Sequence, residues 1–252
     1  MNRYKKNIII ATGGTGGHTF PAISLANNLL NDGFDIKITT DERGVKYFDS
    51  KFIKITKVIK SSPLNNKKKF LSIIKILFAI LNSLIFVLKN KPKLILGMGG
   101  YASFPLCLAA IILRIPIIIY ENNLIMGKAN RYLAPFAKKI FVSYEDIQGI
   151  KLKYRNKTNI TGNILRQNIL NFSVKGRDEK FDNLKILILG GSQAAKIFAE
   201  VLPDIFVTCK KNNIDLKIYQ QCLDDQKQNL QKKYDNNNID CELFSFTFDI
   251  LK

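Results

Sequence analysis

The sequence predicts an α/β protein of two Rossmann-like, doubly wound domains with parallel sheets, the second incomplete. Three observations carry this. Short apolar runs of strand length alternate with helix-length segments along most of the 252 residues. A glycine-rich loop follows the first run of each half, Thr12-Gly13-Gly14-Thr15-Gly16-Gly17-His18 in one and Gly190-Gly191-Ser192-Gln193 in the other. Between them the polar, weakly patterned stretch from Leu170 to Asn183 reads as a linker. The expected organisation is a first domain over 1–166, a linker over 167–183 and a partial second domain over 184–252.

Taken in order, Asn7–Ala11 is a buried parallel strand by its continuous aliphatic run. A helix is expected from Pro21, proline suiting a first turn, to Leu30, with Gly33 as its stop. Asp35–Thr39 is the next strand, and Phe52–Lys57, Leu94–Gly97, Ile115–Tyr120, Lys139–Ser143 and Asn159–Thr161 follow as strand candidates with helical stretches between most of them. Beyond the linker the order is strand Leu184–Leu189, helix Ala194–Lys210 with Pro203 as a kink, strand Leu216–Gln220, helix Asp225–Tyr234 and strand Cys241–Phe246. A second sheet of about three strands falls short of the five or six of a complete doubly wound fold.

Composition narrows the partners. Against 20 acidic residues stand 39 Lys and Arg, a net charge of +19, so the partner is acidic: nucleic acid, an anionic membrane or a phosphorylated substrate. The lysines flank aliphatic residues instead of interleaving with aromatics, which disfavours nucleic acid. Cys107, Cys209, Cys222 and Cys241 have no C-x-x-C spacing and, with one histidine, build no zinc site; scattered thiols suit a reducing compartment. The apolar run after Lys6 is too short for a signal peptide.

Between Asp49 and Glu121 there is no acidic residue, and eleven lysines with Arg114 place +12 of the charge there. Within this interval lies the apolar stretch Phe70–Leu88, preceded by Lys67-Lys68-Lys69 and followed by Lys89, Lys91 and Lys93. Three readings stay open. A spanning helix would carry Lys75 at a cost of about 2.5–3.5 kcal/mol. A core helix would cover the sheet with its lysines solvated. A helix seated on the sheet through the stripe 72, 75, 79, 82, 83, 86 would offer a lysine-rimmed apolar patch to anionic lipid, each lysine adding about 1 kcal/mol.

The first glycine loop lets the backbone approach a ligand, and the N–H groups opening the next helix attract anionic or hydroxyl-rich groups. The dinucleotide pattern G-x-G-x-x-G fails at Thr19, although Asp41 stands where a ribose-binding acid would; a nicotinamide enzyme is the alternative this leaves. Further loops end other strands: Gly97-Met98-Gly99-Gly100-Tyr101, Glu121-Asn122-Asn123 and Gly162-Asn163-Ile164-Leu165-Arg166. In a parallel sheet these share one rim, the ligand-binding edge.

Together GGTGGH with the following proline, GMGGY, the Glu-x-Asn loop, GN-x-x-R and GGSQ resemble the MurG family over essentially the whole chain. The resemblance implies a GT-B fold of two Rossmann-like domains, and an inverting N-acetylglucosaminyltransferase that uses UDP-GlcNAc to convert a polyprenyl-diphosphate-linked muramoyl acceptor, lipid I, into lipid II. It further implies peripheral attachment to the cytoplasmic side of the inner membrane, an anionic membrane surface as partner, and work in cell-wall synthesis. Carried over by position, Thr15, Gly16 and Gly17 fall on the loop at the substrate cleft. Asn123, Arg166 and Ser192 fall on donor-binding positions, and Phe248 on the last of them. Two departures stand out: Ala194 replaces the glycine that follows GGSQ, and the family continues for about a further third beyond Lys252. The second departure makes a non-catalytic remnant the alternative, with weak donor binding by this chain alone.

Sugar transfer needs a base for the acceptor hydroxyl. His18, at the positive end of a helix dipole, would be held neutral and able to accept a proton, or else hydrogen-bonds the loop or a phosphate. Glu121 is the competing carboxylate, or else holds the Asn123 loop. Arg166 suits a diphosphate through its planar fork, or is an exposed charge. With no Asp-x-Asp in the chain, transfer is expected to need no metal and no cofactor.

Overall fold

The computed structural model describes residues 6–60, 69–171, 184–190 and 194–245. The chain forms two compact units, Met1–Leu170 and Asn171–Lys252. In the first, strands β1 (Asn7–Ala11), β2 (Asp35–Thr40), β3 (Thr56–Val58), β4 (Leu94–Gly97), β5 (Ile117–Glu121), β6 (Lys139–Val142) and β7 (Thr158–Ile160) form one sheet in the order β3-β2-β1-β4-β5-β6-β7. Every pairing is parallel, so all the loops that leave carboxyl ends share one rim. The aliphatic runs serve both faces by strict alternation. Ile8 and Ile10 pack with Ile36, Ile38 and Met98 on one side, and Ile9 and Ala11 with Ile95, Ile117 and Ile119 on the other. Each fully buried isoleucine is worth about 1.5–3 kcal/mol.

The first helix, α1, runs Gly16–Asn31 and begins five residues earlier than the proline signal predicts. Pro21 is therefore its sixth residue, where it withholds the N–H that the carbonyl of Gly17 would receive. The stop at Gly33 is as read: with φ +84 it closes a Schellman turn, Gly33 N–H bonding Leu30 O and Phe34 N–H bonding Leu29 O at 3.0 Å each. The expected strand Phe52–Lys57 divides instead into a short helix, α2 (Ser50–Ile53), and β3. Asp49 caps that helix, its carboxylate accepting from Phe52 N–H at 3.0 Å, a local bond that outweighs the strand pattern.

Helix α3 (Lys69–Asn90) lies against α4 (Gly100–Ile112) in an orientation that apolarity alone would not choose. Ser72, Ala79, Ser83 and Val87 are buried, while Ile73, Leu77, Phe78, Leu81, Ile85 and Leu88 are each 45–63% exposed. Small residues let α3 approach Ala109 and Ala110 of α4, and Ser83 returns its hydroxyl to Ala79 O at 2.7 Å. Among the described residues α3 is the one helix with the length and composition to cross a membrane. The core-helix reading holds for one face only: Val87, Leu84 and Phe86 join the core, while the larger number of big apolar side chains face outward. Helix α4 repeats the plan of α1: a glycine start, a hydroxyl at the fourth residue bonding back (Thr19 to Thr15 O, Ser103 to Gly100 O), then Phe-Pro. Two short helices, α5 (Lys128–Leu133) and α6 (Gln167–Leu170), complete the unit.

The second unit alternates β8 (Leu184–Ile188), α7 (Ala194–Lys211), β9 (Leu216–Gln221), α8 (Asp224–Asp235) and β10 (Asp240–Phe244), with a parallel sheet ordered β10-β9-β8. Pro203 lies inside the continuous α7. The core gathers Ile188, Phe206, Leu216, Ile218, Leu230, Tyr234 and Leu243, and the Tyr234 hydroxyl donates to the buried Gln220 Oε1 at 2.5 Å. Most of the linker, residues 172–183, lies outside the described residues.

Candidate active site

In this strand order the winding of the sheet reverses between the parallel neighbours β1 and β4, whose following loops diverge and open the crevice where ligands bind in such sheets. The first glycine loop leaves β1 there, and Met98-Gly99-Gly100 leaves β4. Only glycine fits at Gly13: with φ +150, a Cβ would stand 2.7 Å from Ala102 Cβ and 2.8 Å from Asp41 Oδ1.

Asp41 holds that loop from the end of β2. It is 2% exposed, and Oδ1 accepts from Gly14 N–H at 2.8 Å and Gly44 N–H at 2.9 Å. Its Oδ2 meets Arg43 Nε and the Tyr101 hydroxyl, both at 3.2 Å, and the Arg43 guanidinium lies 4.8 Å from the Tyr101 ring centroid. Burial, then the Asp41 charge, raises the Tyr101 phenol above its usual range. The geometry speaks against the nicotinamide alternative: the acid meant for a ribose is spent on the glycine loop and on Arg43.

His18 is the third residue of α1 and lies over the Gly99–Gly100 backbone. A Cβ on Gly99 (φ +87) would be 3.1 Å from His18 Cε1, and one on Gly100 (φ +73) 3.2 Å from Cδ2. Its Nδ1 is buried with no hydrogen-bond partner among the described residues. Burial lowers the imidazole below its usual pKa, against smaller raising effects of Glu121 and the Met98 backbone. The lowering favours the neutral ring at pH 7.

Glu121 ends β5, 1% exposed, and its carboxylate is fully engaged. Oε1 accepts from Asn123 N–H at 3.1 Å and Asn123 Nδ2 at 2.8 Å; Oε2 accepts from Gly127 N–H at 2.8 Å and Asn130 Nδ2 at 2.9 Å. Four donors on two oxygens leave no lone pair for a substrate proton. Of its two expected roles, base or holder of the Asn123 loop, these bonds fit the second: Glu121 is the peg around which residues 122–130 fold, with Asn123 presented at the exposed edge.

Arg166, before α6, stacks on Phe20 of α1 with Cζ 4.8 Å from the ring centroid, and Phe20 meets Tyr47 edge-on at 5.4 Å. The Gly162 loop that delivers Arg166 is pinned by the Tyr120 hydroxyl, which reaches Ser143 Oγ at 2.8 Å and Gly162 O at 3.2 Å. Thr15 is the N-cap of α1, its side chain making no capping bond; Gly16 and Gly17 follow with first-turn N–H groups that need no intrahelical partner. The first unit thus brings Thr15, Gly16, Gly17, His18, Glu121, Asn123 and Arg166 to one rim. Ser192 and Phe248 lie outside the described residues. Sequence reasoning missed Asn122 and Asn130 as individual positions, and it gave Asp41 the wrong partner. The bonds of Asn122 and Asp41 join segments distant in sequence, those of Asn130 fold the loop back on the end of β5, and the one available signal was the Asn-rich run after β5.

Residues 8–142 match the model of the glycosyltransferase family 28 N-terminal domain, and residues 185–252 that of its C-terminal domain. The UDP-N-acetylglucosamine--N-acetylmuramyl-(pentapeptide) pyrophosphoryl-undecaprenol N-acetylglucosamine transferase of Pelagibacter ubique is 36% identical over 98% of this chain and 68% of its own. The enzyme of the same name from Rickettsia bellii is 38% identical over 96% and 68%. Among solved structures, Acinetobacter baumannii MurG superposes with a TM-score of 0.69 at 26% identity, over 97% of this chain and 69% of that one.

Proposed function

This chain belongs to glycosyltransferase family 28, and we propose that it transfers GlcNAc from UDP-GlcNAc to the muramoyl sugar of a polyprenyl-diphosphate-linked acceptor, lipid I to lipid II in peptidoglycan synthesis. The two parallel α/β units are those of the GT-B fold. The observation that carries the reading is the 36–38% identity to transferases of that name across nearly the whole chain. In the proposed step the acceptor hydroxyl oxygen attacks the anomeric carbon of GlcNAc, the bond to UDP breaks, and UDP leaves with the electron pair. The hydroxyl proton passes to His18, whose burial keeps it neutral and ready. Arg166 and Asn123 contact the donor, as do Ser192 and Phe248, while Thr15, Gly16 and Gly17 line the substrate loop. The test is release of UDP with transfer of radiolabelled GlcNAc to a lipid I analogue. UDP release that does not depend on the acceptor would overturn the reading.

Attachment to the cytoplasmic face of the inner membrane is part of the same proposal, and the outward face of α3 supports it. Leu77, Phe78, Leu81 and Leu88 are each more than half exposed. Beside them a groove of about 1160 Å³ between β3 and α3 is lined by Lys57, Lys60, Lys75 and Lys89. Apolar burial with lysines at its margin suits an anionic bilayer. Of the lysines ahead of the helix, Lys67 and Lys68 lie outside the described residues, as does the side chain of Lys69. Leu77→Gln with Leu81→Gln is expected to reduce flotation with phosphatidylglycerol vesicles at least tenfold without lowering the melting temperature. Raised salt is expected to weaken the wild type. Equal binding of wild type to neutral and anionic vesicles would refute the attachment proposed here.

A further inference from the structure

The geometry points to Asn122 as a positioning residue for His18: its side-chain amide stands in for the N–H that Pro21 lacks and latches the first turn of α1 to the loop after β5. Pro21 leaves the Gly17 carbonyl without its donor from four residues on. Asn122 Nδ2 donates to that carbonyl at 2.8 Å, across 105 positions of sequence. The contact continues inward. Asn122 Oδ1 accepts from Asn123 Nδ2 at 3.2 Å, and the same Nδ2 reaches Glu121 Oε1 at 2.8 Å. A chain of bonds therefore runs from the buried carboxylate of Glu121 to the residue preceding His18.

The consequence is orientational. The opening of α1 is held on one side by Asp41, through Gly14, and on the other by Asn122, through Gly17. Between these ties the imidazole rests on Gly99 and Gly100. The latch would be redundant in a helix without proline, since Gly17 O would then be satisfied within the helix. With Pro21 present, the freed carbonyl becomes an attachment point, and the first turn is fixed to β5 and not only to its own helix. Glu121, from β5, is the charged group that acts on His18; Asp41, Arg43 and Tyr101 stand beyond the glycine loop and do not contribute to its shift.

His18 is the single histidine of the chain, so its titration is read without ambiguity by NMR of the imidazole C–H signals. The inference rests on the proposed base role only for its kinetic arm. Asn122→Leu, similar in shape and unable to donate, is expected to raise the His18 midpoint toward 6.5 as the turn loosens and burial lessens. It is expected to lower kcat by about 10–100-fold with the donor KM within about twofold, the signature of misplacement. Pro21→Ala in the Asn122→Leu background supplies the missing N–H within the helix. If the latch acts by tying α1 to β5, the double variant regains melting temperature but neither the midpoint nor kcat. Recovery of all three would mean that Asn122 only satisfies a carbonyl and would overturn the inference. So would an unchanged midpoint in Asn122→Leu. A shifted midpoint with unchanged kcat would support the latch and refute the base role.

Discussion

His18→Gln is expected to lower the rate of GlcNAc transfer by about 10²–10⁴-fold, the usual worth of a positioned base, with the donor KM nearly unchanged. The ring sits at the topological switch point with its position set by two glycines that leave no room for a side chain. A base must be neutral to accept a proton, and burial lowers the pKa of His18 from 6.5. The acid limb of kcat/KM is therefore expected below pH 6.5, with rate lost as pH falls through the lowered value and a plateau above it. In the His18→Gln variant that limb is absent. The measurement is the pH profile of UDP release with a lipid I analogue. A variant that keeps the wild-type rate, or a wild-type limb above pH 6.5, would remove His18 from the chemistry.

Glu121→Gln destabilises the first unit about as much as Glu121→Ala, by about 2–5 kcal/mol, because each buried group left unsatisfied costs about 1–3 kcal/mol. All four partners of the carboxylate are donors: two N–H groups and the amides of Asn123 and Asn130. A glutamine brings its own donor against one pair of them whichever way it turns, so the near-isosteric change is no conservation here. At about 2–4 °C per kcal/mol for a unit of this size, the calorimetric transition of the first unit is expected to fall by roughly 4–20 °C. Transfer falls with it, since Asn123 and the Asn122 latch depend on the same peg. A Glu121→Gln chain that melts with wild type would show that fewer of these bonds form than the geometry gives, and would return Glu121 to the list of possible bases.

Much of the fold was legible in the residues. Ile8-Ile9-Ile10 has no period because both faces are covered, and such runs alternating with helices admit only a parallel sheet. Gly33 was readable as a stop because a Schellman turn is a local device. The start of α1 was not: proline favours a first turn, but Gly16 and Gly17 were free to enter the helix ahead of it, and a side chain from β5 made good the missing bond. Nor was the outward face of α3 readable, since a segment apolar on most of its surface carries no direction. The direction came from Ser72, Ala79 and Ser83, small enough to let α4 approach.

By itself the sequence determined the architecture and the rim. Parallel strands with right-handed crossovers place every carboxyl-end loop on one edge, so His18, Asn123 and Arg166 share a rim whatever their side chains do. The tertiary structure alone decided which of the polar groups on that rim remain available. Asp41 and Glu121 look like free acids in the sequence, yet each is consumed by donors that packing delivers, Gly14 and Gly44 to one, Gly127 and Asn130 to the other. The reason is the short range of hydrogen bonds. A buried acceptor must be met by donors within about 3 Å. Which donors arrive there is settled by the fold, which brings Gly14 to Asp41 across 27 positions and turns the loop after β5 back over Glu121.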